Sequence, residues 1–81
     1  MKVRVQFFSR LRELAGVGLT DFEVPEKATV ADLLNVVYAG TPALRDWDKS
    51  ILVASGLDFV DRNYVINPSD QISVMPPVQG G

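Results

Sequence analysis

The sequence predicts an α+β domain in which a mixed sheet packs on one main helix, with short helices beside it. Three observations carry that expectation. Residues 2–8 and 71–75 alternate polar and apolar side chains, the period of a strand with one buried face. Between them, Val30, Leu33, Leu34 and Val37 recur at i, i+3, i+4 and i+7, the stripe of an amphipathic helix. The order of elements is strand, short helix, strand, main helix and then three or so strands.

In the first strand, Val3, Val5 and Phe7 share the core face, and Phe8 is the apolar exception on the polar face. Ser9 is a good N-cap for a two-turn helix carrying Leu11, Leu14 and Ala15, which Gly16 ends. Residues 19–24 form a second strand, hairpin-related to the first and stopped by Pro25; its alternation is imperfect. Thr29 with Asp32 three residues on is a capping box for the main helix, which ends at Gly40. Thr41-Pro42 then opens a short turn through Trp47. Trp47 has two readings, a core or lid residue or an exposed binding residue.

Residues 51–54 make a third strand, Ser55-Gly56 a turn, and 58–60 a short extended piece. Residues 61–63 turn again, 64–66 read as a brief strand or a 3₁₀ turn, and 67–70 form a tight turn. The last strand, 71–75, points Ile72 and Val74 inward and Gln71, Ser73 and Met75 outward. If the first and last strands are central neighbours, Phe8 and Met75 meet on the face away from the main helix, with Phe59 as a third member. Such residues mark either a partner surface or ordinary scattered hydrophobics.

The composition narrows the function more by exclusion than by suggestion. Eighty-one residues fit one domain. A net charge of -2, with no run of basic residues, gives no support for nucleic-acid binding. There is no cysteine, hence no disulfide or thiol nucleophile, and no histidine, the usual general base and metal ligand near neutral pH. No metal site is expected. No segment is long enough to span a membrane, and the first eight residues lack the apolar block of a signal peptide, so a cytoplasmic protein is expected.

What remains is the end, Pro76-Pro77-Val78-Gln79-Gly80-Gly81, which follows a domain of residues 1–75 as a carrier tail of residues 76–81. Two prolines donate no backbone hydrogen bond and favour an extended arm. Four further residues reach roughly 13 Å at ~3.3 Å each. Gly80 and Gly81 have no Cβ and fit a narrow channel. A terminal carboxylate is a poor electrophile until it is activated, for example as an acyl-adenylate; a thiocarboxylate or an amide then becomes accessible.

Two motifs resemble a known family. Phe7-Phe8-Ser9-Arg10-Leu11-Arg12-Glu13-Leu14-Ala15-Gly16 is similar to the Phe-Phe-Ala-x-x-Arg-Glu-Leu-x-Gly opening of the molybdopterin synthase small subunits, which are ubiquitin-like β-grasp sulfur carriers. Pro76-Pro77-Val78-Gln79-Gly80-Gly81 is similar to their Pro-Pro-Val-Ser/Thr-Gly-Gly end. The resemblance implies a ubiquitin-like β-grasp fold and a non-catalytic carrier subunit of a sulfurtransferase. An adenylating enzyme related to ubiquitin-activating enzymes, using ATP, would activate Gly81. The resulting thiocarboxylate would enter the large synthase subunit and give its sulfur to a pyranopterin precursor of the molybdenum cofactor. Gly80 would be the slim residue behind it. Phe8, Phe59, Met75, Pro76, Pro77 and Val78 would face partners, and no bound cofactor is implied. The chain departs from the family at Ser55-Gly56, where Val-Asn is frequent, at Ser69-Asp70-Gln71, where Gly-Asp-Glu is frequent, and at Met75, where an aromatic is common. Two other readings remain: a sulfur carrier for thiamine or amino-acid biosynthesis, and a ubiquitin-like modifier or binding module that conjugates to lysines.

Overall fold

The computed structural model describes residues 1–77; the tail positions Val78, Gly80 and Gly81 lie outside the described residues. Five strands form one sheet: β1 (Lys2–Phe7), β2 (Leu19–Glu23), β3 (Leu52–Ser55), β4 (Asp58–Val60) and β5 (Gln71–Met75). Their order across the sheet is β2-β1-β5-β3-β4. β1 and β5 run parallel, as central neighbours, and the other pairs are antiparallel. Two α-helices, α1 (Ser9–Ala15) and α2 (Val30–Gly40), and a 3₁₀ helix (Pro42–Ser50) complete the described chain.

One buried cluster joins the inward residues of the strands to the apolar stripe of α2. Val3, Val5, Phe7, Val53, Ile72 and Val74 meet Val30, Leu33, Leu34, Val37 and Tyr38 there. Phe7 and Phe22 add an edge-on ring pair at 6.3 Å, a favoured aromatic geometry. The capping box at the start of α2 is present in both directions. The Asp32 N–H donates to Thr29 Oγ1 at 3.2 Å, and the Thr29 N–H donates to Asp32 Oδ2 at 2.9 Å.

Several local expectations change. Ser9 is not the N-cap of α1. That position is Phe8, with no side-chain cap, and Ser9 opens the helix at φ 54, a left-handed value unusual for a residue with a Cβ. The cause is tertiary: the Phe8 N–H donates to the Val74 carbonyl at 3.1 Å, so β5 holds Phe8 extended and the chain must turn sharply after it. Gly16 does end α1, in the left-handed conformation that glycine adopts without strain. The turn opened by Pro42 continues past Trp47 to Ser50 as a 3₁₀ helix. β3 is shifted by one residue, to Leu52–Ser55, and the turn to β4 is Gly56-Leu57. Residues 64–66 form neither a strand nor a 3₁₀ turn; Val65 makes an isolated antiparallel bridge to Thr29.

Candidate functional site

The parallel pairing of β1 with β5 determines what surrounds the base of the tail. Phe7 lies opposite Val74, so Phe8 and Met75 emerge at the same end of the sheet. On the other flank of β5, Leu52 lies opposite Met75. β3 begins there directly after the 3₁₀ helix, whose end is closed by the Ile51 N–H donating to the Trp47 carbonyl at 3.0 Å. Three junctions therefore converge where β5 releases Pro76 and Pro77. A cleft of about 550 Å³ lies between them, lined by Phe8, Ser9, Arg10, Trp47, Met75, Pro76 and Pro77.

The sheet face away from α2 extends from this end. Registered residues share a face, so Phe59, Ala54, Ser73, Gln6 and Leu19 form one row across the sheet. Leu52 and Met75 form the row above it. Phe59 is 69% exposed, Leu19 51%, Phe8 37% and Leu52 36%. The Arg4–Asp21 ion pair, at 3.2 Å, borders the apolar rows. Phe8 and Met75 are thus adjacent, as the alternation anticipates, whereas Phe59 stands two strands from Met75.

Leu52 closes that gap. It is directly opposite Met75 and diagonal to Phe59, within the reach of large side chains. Leu52 was not among the residues expected at this surface. The signal was there in the alternation Ile51 in, Leu52 out, Val53 in, but without the strand register nothing linked Leu52 to Met75.

The titratable groups with displaced pKa values serve the scaffold. Asp48 on the 3₁₀ helix accepts from the Tyr38 hydroxyl of α2 and from Arg62 Nη1, the latter at 2.9 Å. Arg62 also donates to the carbonyls of Asp48 and Ile51. Those hydrogen bonds from Tyr38 and Arg62 hold the Asp48 carboxyl below its usual value. Burial, then the hydrogen bond to Asp48, push Tyr38 up to about 12. Asp70 accepts from the Asn67 N–H at 2.8 Å and the Tyr64 hydroxyl at 2.9 Å. Burial works against its ionisation, but the contacts with Asn67, Tyr64 and Ser55 outweigh it and lower its pKa. Among the described residues no group of three or more acidic side chains could hold a metal, and no helix is long and apolar enough to cross a membrane. Among the described residues the site offers an apolar surface beside the end of β5, and no convergent set of acid, base and nucleophile.

Comparison with known proteins places this geometry among relatives. Residues 5–81 match the ThiS family. The molybdopterin synthase sulfur carrier subunit of Chlamydomonas reinhardtii is 31% identical, with all of both chains aligned. The solved structure of a putative molybdopterin converting factor subunit 1 from Pyrococcus furiosus superposes with a TM-score of 0.86 at 30% identity, covering 96% of this chain and 99% of that one. SAMP1 from Haloferax volcanii, a small archaeal modifier protein, gives 0.85 at 27% identity, with all of both chains covered.

Proposed function

Since the chain belongs to the ThiS family and folds as a ubiquitin-like β-grasp, we propose that it is the sulfur carrier subunit of a molybdopterin synthase. Its last residue, Gly81, is the carrier position. The observation that supports this best is the Pro-Pro-Val-Gln-Gly-Gly end, set directly after β5 in a chain whose curated relatives are sulfur carrier subunits of that synthase.

The chemistry follows from what the chain has and lacks. With no cysteine in the sequence, sulfur cannot be carried as a persulfide, and a terminal carboxylate is the alternative. A carboxylate oxygen of Gly81 attacks the α-phosphate of ATP in an adenylating partner, and pyrophosphate leaves. A sulfur donor at the hydrosulfide level then attacks the acyl carbon, AMP leaves, and a thiocarboxylate remains. Gly80 and Gly81, without side chains, let that group enter the large synthase subunit, where the sulfur passes to the pyranopterin precursor. The remaining catalytic groups belong to the partners. ATP is bound by the activating enzyme and not by this chain. Phe8, Leu52, Phe59 and Met75, with Pro76, Pro77 and Val78, form the surface that the partners grip.

Deleting Gly81 tests this reading. The shortened chain should melt like the parent and transfer no sulfur. Retained transfer would remove Gly81 from the mechanism. The likeness to SAMP1 favours one second reading, a ubiquitin-like modifier whose adenylated terminus passes to a lysine amine. An isopeptide-linked product formed in place of a thiocarboxylate would support it.

A further inference from the structure

Pro76 and Pro77 leave the domain at the end of β5, yet both are only partly exposed. They share one cleft with Phe8, Arg10, Met75 and Trp47. Trp47 is the only tryptophan in the sequence and rides on a nine-residue 3₁₀ helix, long for that geometry. In such a helix residues three apart stack on one side. Trp47 therefore follows Leu44, which is buried, and itself packs against the edge of the core. The next residue, Asp48, is held by Tyr38 and Arg62. The 3₁₀ helix is thus held on either side of Trp47, beside the end of β5.

We propose that Trp47 is a positioning residue for the carrier tail. With Phe8 it forms the seat against which Pro76 and Pro77 lie, and so it orients that two-proline stem. This rests on the tail being the carrier and adds how the tail is aimed. A stem held in place before the partner arrives need not be ordered on binding. Releasing one residue should weaken partner affinity roughly 5- to 30-fold, with the lower end applying to proline, which has fewer conformations to lose.

The decisive test uses the isolated chain and its single indole. Replacing the stem by Pro76→Gly together with Pro77→Gly should shift the Trp47 emission to the red and increase its quenching by acrylamide. Unchanged emission and quenching overturn the proposal whether or not any partner binds. In titrations with the purified large synthase subunit, Trp47→Ala should weaken binding about 5-fold, and Trp47→Phe, which keeps an aromatic seat and controls for lost packing, should bind close to the parent. Adding Trp47→Ala to the double glycine variant should weaken binding no further, because the indole acts through the stem. Full additivity also overturns the proposal. A parent chain that fails to bind counts against the carrier reading and leaves the fluorescence result to decide this one.

Discussion

Ser9 shows how one residue's conformation is set from outside its own helix. Serine at that place reads as an N-cap, but the hydrogen bond from Phe8 to Val74 holds the preceding residue in the sheet and forces Ser9 to φ 54. A β-branched residue tolerates that region poorly. Ser9→Val should therefore lower stability by about 1–3 kcal/mol, while Ser9→Gly should leave it unchanged or raise it; urea denaturation of the three proteins compares them directly. Acid acts at the same scale. The native pKa values of Asp48 and Asp70 lie below the ordinary value of 3.8, so the stability they contribute is complete above that value. It is lost as pH falls from there through the lowered native values. Tyr38 works in the opposite sense: its native value of about 12 exceeds the ordinary 10.0, so its contribution is complete below pH 10 and is lost as pH rises towards 12. Trp47 fluorescence across an acid titration should show unfolding shift to higher pH in Asp48→Asn; an unchanged midpoint would contradict the role given to Asp48.

Among the elements, α2 was the most legible. Its capping box and apolar stripe are local patterns, and both are present as the sequence suggests. Thr29→Ala should cost about 1 kcal/mol (range ~0.5–2), read from the urea midpoint. The 3₁₀ helix was the least legible, because what sustains it is not local. Tyr38, on α2, donates to the Asp48 carboxylate, and Arg62, beyond β4, donates to Asp48 and to the carbonyl of Ile51. The one-residue shift of β3 has a similar origin. Its register is defined by pairing Leu52 with Met75 and Val53 with Val74, which no local pattern specifies. That pairing puts Leu52 on the outer face beside Met75. Leu52→Asp and Phe59→Asp should each weaken binding to the large synthase subunit far more than they lower the melting temperature. Both side chains are exposed on the uncovered face, so the core should tolerate the changes. Binding equal to the parent in both variants would remove the outer face from the interface.

At the scale of the whole molecule, the parallel pairing of the first strand with the last organises everything else. It brings the start of α1, the end of the 3₁₀ helix and the end of β5 to one place, and Pro76 leaves from there. Alternation in residues 2–8 and 71–75 showed which face of each strand is buried and left their central pairing as a condition, and the absence of cysteine and histidine pointed to the end of the sequence. Neither revealed that Trp47 would share a cleft with Pro76 and Pro77, because that depends on how the 3₁₀ helix docks. Intact-mass spectrometry reads whether this scaffold presents Gly81 as a carrier of sulfur. The chain is incubated with an adenylating enzyme, ATP and a sulfide donor, then weighed and fragmented. One oxygen should be replaced by sulfur, localised to Gly81 and absent without ATP. An unchanged mass with an adenylating enzyme active on another carrier, or sulfur on any other residue, would rule out Gly81 as the carrier.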